Sequence, residues 1–256
     1  MLIPITRRGQ MLLERRIIPA QDGLFALTQT FTGSDTRTLV THDAFVLAEV
    51  EVLEGSLSFL LNAERIEAPT RFRLAVPPRA VLPMAFDHAR VWTEGVTGFS
   101  TLTIDAPVLF ASSGGPIPLD LVSVRRALSA QILQRLDPDA GVAPAIVRAR
   151  RLLHELIAHP APARVAAKRV GICPETLSRG FCRAYAIGPK QYCHRARLFD
   201  AVLHLISGVA IVDAALDAGF SDIKRFYTQF KRLLGTTPGV YTRIKKRQDG
   251  APRNRL

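Results

Sequence analysis

The chain has 256 residues, 48% of them apolar and 22% charged, and a formal net charge of +12. That length can bury a substantial core or two modest ones, and the composition is that of a globular chain, not a disordered or fibrous one. No apolar run is long enough to span a bilayer, and Met1-Leu-Ile-Pro-Ile-Thr-Arg-Arg8 lacks the basic-then-apolar layout of an export signal, so a cytoplasmic location without a membrane partner is expected.

From Leu12 to about Leu109 the text is strand-like. Short β-branched, aromatic or alternating runs occur at Phe45–Leu53, Ser56–Leu61, Arg71–Val76, Ala89–Thr93 and Gly98–Ile104. Turn signals lie around and between them at Asp22-Gly23, Gly33-Ser-Asp35, Glu54-Gly55, Asn62-Ala63 and Pro77-Pro78. Short strands at this spacing predict a small sandwich or barrel. Gly114-Gly-Pro-Ile-Pro118 marks its end.

Leu119 to Leu136 is predicted as one helix, because Leu121, Val124, Leu128, Ile132 and Leu136 recur at spacings of three and four. The stripe either packs on the barrel or joins two copies of the chain, and it spans too few turns to decide between them. Asp137-Pro-Asp-Ala-Gly141 ends it.

Beyond Pro144 the text turns helical and the charge changes. Residues 1–143 hold 13 Arg, no Lys and 15 Asp+Glu, a net of −2, whereas residues 144–256 hold 21 Lys+Arg and 7 Asp+Glu, a net of +14. A basic excess confined to one helical part is the footprint of a nucleic-acid-binding module. The three cysteines, Cys173, Cys182 and Cys193, have no metal-ligand spacing and read as small packing residues, with a redox or metal sensor as the other reading.

Two units in this part share one layout. In the first, Val165, Ala166, Ala167 and Val170 form a short packing face, Gly171 turns the chain, and Pro174 suits the first position of a second helix. Leu177, Phe181 and Tyr185 follow at spacing four and mark the buried side. Glu175, Thr176, Arg179 and Arg183 are left for solvent or DNA. Arg179 is the candidate for a base edge, since a guanidinium can bond two acceptors of guanine, with a phosphate contact as the alternative. Gly180 inside this helix costs roughly 1 kcal/mol relative to alanine.

A long helix from Lys190 to about Ser207 follows, with Arg195 and Arg197 expected in phosphate or packing contacts. The second unit then begins. Ile211, Ala214, Ala215 and Ala218 form its small-residue face, Gly219 ends the helix, Phe220 seals the corner, and Ser221 or Asp222 caps the next helix. Phe226 and Phe230, with Leu233 and Leu234, should be core. Asp222, Ile223, Lys224, Arg225 and Thr228 occupy the turns a recognition helix inserts into the major groove. Gly235-Thr-Thr-Pro238 stops the helix.

Gly219-Phe-Ser-Asp222, then Phe226, then Phe230-Lys231, then Gly235-Thr-Thr-Pro238 resembles the most characteristic stretch of the AraC/XylS family of bacterial transcription regulators. The resemblance is carried by the part from about Pro144 onward, and it extends only loosely to the rest. Lys224, Arg225 and Tyr227 depart from the common pattern, so the family's usual base contacts do not transfer to them. Cys173 stands where the family usually has a capping serine. The resemblance implies an α+β two-domain protein. Residues 1–115 would be a cupin-like β-barrel for sensing or dimerisation, 116–143 a linker helix, and 144–256 an all-α domain with two helix-turn-helix units. The segment Leu53–Phe59 followed by Val76-Pro-Pro78 is similar to such a sensor barrel.

The implied function is sequence-specific regulation of transcription. Double-stranded DNA is the expected partner, and the resemblance adds RNA polymerase, an unidentified small-molecule effector and a second copy of the chain. No cofactor or metal is expected, because the barrel offers only His42 and His88 where a cupin metal site needs a histidine pair with a glutamate and a third histidine. Catalysis is not expected. The alternatives are a cupin-like enzyme with a basic accessory domain, which lacks a converging acid/base or metal set, and non-specific coating of nucleic acid.

Overall fold

A computed structural model describes residues 2–8, 11–62, 64–100, 104–112 and 114–249. Its first part is built from β1 (Leu2–Arg8), β2 (Met11–Pro19), β3 (Phe25–Val40), β4 (Phe45–Leu61), β5 (Glu64–Glu67), β6 (Arg71–Val76), β7 (Val81–Gly98), β8 (Val108–Ala111), a helix α1 (Leu121–Ala127) and β9 (Ile132–Arg135). All strand pairs are antiparallel, in the order β1-β2-β3-β7-β4-β6-β8-β9, with β5 on β4. The outermost strands β1 and β9 do not pair with each other, so the sheet is not closed, and the expected barrel is corrected to an open antiparallel sheet.

The reason lies in the three longest strands. Several glycine signals that read as turns are irregularities inside continuous strands. Register shifts fall between Gly33 and Asp35 in β3, and around Glu54 in β4. A glycine bulge uses the same positive-φ residue as a tight turn but bends the strand without reversing it. Gly33 (φ 121) and Gly55 (φ 64) supply it. True reversals occur at Asp22-Gly23, with both residues at positive φ, and at Asn62 (φ 48). Part of the run expected at Gly98–Ile104, residues 101–103, lies outside the described residues, as does Ala63.

The helix expected over Leu119–Leu136 is also corrected. Asp120 caps a short α1 by accepting from the Ser123 N–H, and the chain then returns as β9, which pairs with β8. Without β9, β8 would be a bare sheet edge whose N–H and C=O groups lack partners. The apolar stripe is accordingly split. Val124 packs with Phe45 and Val108, Leu136 packs with Leu74 and Leu109, and Ile132 is exposed.

The second part contains α2 (Pro144–Glu155), α3 (Pro162–Val170), α4 (Pro174–Tyr185), α5 (Pro189–Ile206), α6 (Ile211–Asp217), α7 (Ile223–Leu234) and α8 (Pro238–Asp249). Proline opens α2, α3, α4 and α5, where its missing N–H has no intrahelical partner to lose. One core joins α2, α3, α4 and the first half of α5 around Leu153, Phe181, Tyr185 and Tyr192, and reaches Val40 and Val81 of the sheet. Another joins the second half of α5 with α6, α7 and α8 around Leu205, Phe226, Phe230 and Tyr241, and reaches Ile17, Phe25 and Leu27. Among the described residues no helix is long and apolar enough to cross a membrane.

Candidate nucleic-acid interface

The first helix-turn-helix is α3–α4. Ala166 and Ala167 are buried, and their small side chains let α3 approach its neighbours. Gly171 closes α3 in the left-handed conformation (φ 77). Cys173 then caps α4, its Sγ accepting from the Thr176 N–H at 3.4 Å and contacting the Thr176 hydroxyl at 3.0 Å. Leu177, Phe181 and Tyr185 are buried, and Phe181 sits edge-on to Tyr185 and to Tyr192 of α5. The opposite side carries Glu175, Thr176, Arg179 and Arg183, all exposed.

Gly180 has a packing reason that the sequence does not reveal. A Cβ there would lie 2.7 Å from Ile146 Cδ1, so the glycine admits the Ile146 side chain of α2 against α4.

The second helix-turn-helix is α6–α7. Ala214, Ala215 and Ala218 are buried, and Gly219 (φ 77) turns the chain. Gly219 is required twice over, since a Cβ would also sit 2.9 Å from the backbone Cα of Ala158. Phe220 is buried against Phe226. The Asp222 carboxylate accepts from the N–H groups of Lys224 (2.8 Å) and Arg225 (3.3 Å), satisfying two free donors at the start of α7. Phe226 and Phe230 are fully buried, and Tyr241 of α8 closes on Phe230. Gly235 (φ 71) ends α7, and buried Pro238 begins α8.

Asp222, Lys224, Arg225 and Thr228 are exposed, and Ile223 is half-buried. The Thr228 hydroxyl donates to the Lys224 carbonyl in its own helix. Tyr227, another departure from the family pattern, is also exposed on α7. Each of α4 and α7 thus presents cationic side chains beside a capped N-terminus and hides its aromatics.

The helix between the readers, α5, is largely an internal strut. Arg195 donates to the Thr38 carbonyl at 2.6 Å, and Arg197 donates to the carbonyls of Ile157 and His159. These arginines serve packing. Cys193 is buried, and burial pushes its thiol up to about 12, which leaves it protonated and inert. Cys173 and Cys182 are exposed.

Sequence reasoning missed the polar contacts that join the sheet to the helices. The Thr38 hydroxyl donates to the Tyr185 carbonyl (2.9 Å), and Arg150 donates to the Arg79 carbonyl (2.9 Å). Arg150 also clamps Asp139, which in turn accepts from the Tyr185 hydroxyl at 2.7 Å. His42, in the β3–β4 turn, meets Asp200 of α5 at 2.6 Å and stacks on His154, which bonds to Tyr192. Burial drives His154 down to about 3, so it is neutral. No local sequence pattern announces partners 158 positions apart.

Residues 166–244 match a family model described as a helix-turn-helix domain. Among solved structures, the C-terminal domain of AraT, a response regulator from Geobacillus stearothermophilus, is similar at 24% identity over 40% of this chain and 87% of that one, with a TM-score of 0.38. The C-terminal domain of the two-component response regulator yesN from Fusobacterium nucleatum is similar at 24% identity over 37% of this chain and 97% of that one, with a TM-score of 0.33. ToxT from Vibrio cholerae O395 is 10% identical over 93% of this chain and 98% of that one, with a TM-score of 0.45. No curated protein matches the chain.

Proposed function

We propose that this chain, whose residues 166–244 match a helix-turn-helix domain model, is a DNA-binding regulator of transcription of the AraC/XylS type, with α4 and α7 as its two reading helices. The observation that carries this is their shared construction: each has a capped N-terminus, a buried aromatic face and an exposed basic face, and α5 lies between them. Arg179 and Arg183 on α4, and Lys224 and Arg225 on α7, are the side chains we assign to DNA. Glu175, Thr176, Asp222, Ile223 and Thr228 line the same approaches. Basic groups neutralise phosphates and release counterions, which supplies affinity, and base-edge contacts select the site. Two helices entering one face of the duplex would read half-elements about one helical turn apart, roughly 34 Å.

Within this reading, residues 144–256 are the DNA reader, 1–115 a cupin-like sensor whose sheet stays open, and 116–143 the connection that returns a strand to that sheet. The exposed apolar side chains Leu119, Val122, Ile132 and Leu133 lie in that connection, and they are where we place contact with a second copy. An effector would act through the sheet, and RNA polymerase is a further partner in the same scheme.

The test is selection of genomic fragments by the intact protein at moderate salt with excess competitor DNA, followed by sequencing. Enriched sites with two half-elements one turn apart support the reading. Retention without enrichment, with or without candidate effectors, overturns it. On an enriched site Arg179→Ala or Arg225→Ala should cost about 1–3 kcal/mol of discrimination. Equal losses on random DNA would reduce these residues to phosphate contacts.

A further inference from the structure

The β3–β4 turn brings His42 and Asp43 against Asp200 of α5. His42 Nδ1 lies 2.6 Å from Asp200 Oδ2 and 3.4 Å from Asp43 Oδ2, and one donor atom from each of the three residues falls within 4.8 Å of the others. The proton shared between His42 Nδ1 and Asp200 Oδ2 satisfies only one oxygen of that carboxylate. The Asp200 side chain is 8% exposed, and its Oδ1 is buried without a hydrogen bond of normal geometry. A carboxylate oxygen buried in that state costs about 1–3 kcal/mol unless something else satisfies it.

We propose that His42, Asp43 and Asp200 form a binding site for one divalent transition-metal ion of the zinc class, which clips the sheet to the helix joining the two DNA readers. One imidazole and two carboxylates are a donor set such ions accept. Bonds of about 2.0–2.1 Å at tetrahedral angles place ligand atoms roughly 3.3 Å apart. The His42–Asp43 separation of 3.4 Å already matches, and the His42–Asp200 pair, at 2.6 Å, needs to open by about 0.7 Å. The ion takes the place of the shared proton, which leaves to solvent. The His42 ring stacks on the His154 ring, with centroids 5.4 Å apart, and this holds its orientation at the site. Asp43 is 57% exposed, so the site has a path for the ion and for a water as fourth ligand. A clip at this point would restrain α5, and with it the spacing of α4 and α7, against the sheet.

The test uses the full chain, stripped with chelator, dialysed against zinc chloride and passed over a desalting column before metal analysis, with magnesium chloride as comparison. Wild type should retain about one zinc and no magnesium. Losing an outer partner of a metal ligand already costs about 10–100-fold in affinity, so Asp43→Asn and His42→Ala should weaken zinc binding at least that much. Asp43 is exposed enough for its variant to fold. Zinc should raise the melting temperature of wild type but not of Asp43→Asn. Absence of retained zinc in folded wild type overturns the proposal. Equal retention by wild type and both variants also overturns it and places the ion on the exposed thiols. None of these readouts involves DNA, so failure here leaves the DNA-reading proposal standing, and failure there leaves this one.

Discussion

The first reading helix, α4, is capped by a thiol and ends on Ala186 in the left-handed conformation (φ 52), whereas α7 is capped by a carboxylate and ends on Gly235 (φ 71). Sulfur is a weak acceptor, and a non-glycine residue at positive φ is strained, so α4 is the less well finished of the two by its own sequence. The surroundings compensate. The Tyr185 hydroxyl is held by Asp139, its carbonyl accepts from Thr38 of β3, and its ring lies in a core that includes Val40 and Val81. The second reader has better local signals and packs with α5, α6 and α8. Tertiary contact therefore stands in for local propensity in the first unit, and a change in the sheet around Thr38, Val40 or Val81 reaches that unit directly.

The largest effect expected from breaking this pattern is on the aromatic cores. Phe226→Ala and Phe181→Ala each leave a cavity at a fully buried site and should cost about 3–5 kcal/mol in urea unfolding. They should differ in what else moves. Phe181→Ala loosens the core that includes Val40 and Val81, so protection of their amides from hydrogen exchange should fall with it. Phe226→Ala should leave that protection closer to wild type. Equal loss in both variants would mean that the two units unfold as one, and the contrast drawn here would not survive.

The caps give the next effect. Asp222→Ala removes an acceptor of two N–H groups and should cost about 1 kcal/mol, whereas Cys173→Ala should cost clearly less, because a thiol sulfur is a weak acceptor. Cys173→Ser should stabilise. A serine variant no more stable than wild type would show that the thiol caps α4 as well as a hydroxyl does.

These contrasts also explain which features the sequence made readable. Leu177, Phe181 and Tyr185, and likewise Phe226 and Phe230, stand four apart in segments bounded by a glycine and a capping residue, and such local rules locate a helix and its buried face. The open sheet was not readable, because Gly33 and Gly55 read alike as a turn or a bulge, and only pairing over the length of β3, β4 and β7 decides between them. The segment 119–136 shows a related ambiguity: three-and-four spacing describes a helical stripe, but the unpaired edge of β8 claims its second half as a strand. His42 looked solitary because Asp200 reaches it only through the packing of α5 on the sheet.

The shared helix offers a smaller effect. Burial, and then the charges of Arg197, Lys190, Arg232 and Arg225, bring His194 down to about 4 from 6.5. Between these values the unfolded chain binds a proton that the folded chain refuses. The stability this group contributes is complete above about pH 6.5, falls as pH drops to about 4, and is level below. Urea midpoints should therefore decline less steeply over that window in His194→Gln than in wild type. The difference reports burial of His194 first and the cations around it second, Arg232 and Arg225 of α7 among them, and parallel pH profiles would mean that the folded chain does not hold His194 neutral.

The smallest effect tests why α4 tolerates a glycine. Gly180→Ala gains helix propensity of roughly 1 kcal/mol but sets a methyl 2.7 Å from Ile146 Cδ1, so the two contributions should nearly cancel. Ile146→Val removes that Cδ1 and alone should cost about 0.5–1.5 kcal/mol. With both changes the closest contact is gone and only the remaining Cγ1, 3.0 Å away, must give, so the propensity gain is opposed less. The double variant should then be more stable than the sum of the single effects by about 0.5 kcal/mol or more, read from a double-mutant cycle in urea. Additive behaviour would show that Ile146 can move aside freely, and would leave Gly180 as a plain weakness of the first reader, with no tie to α2.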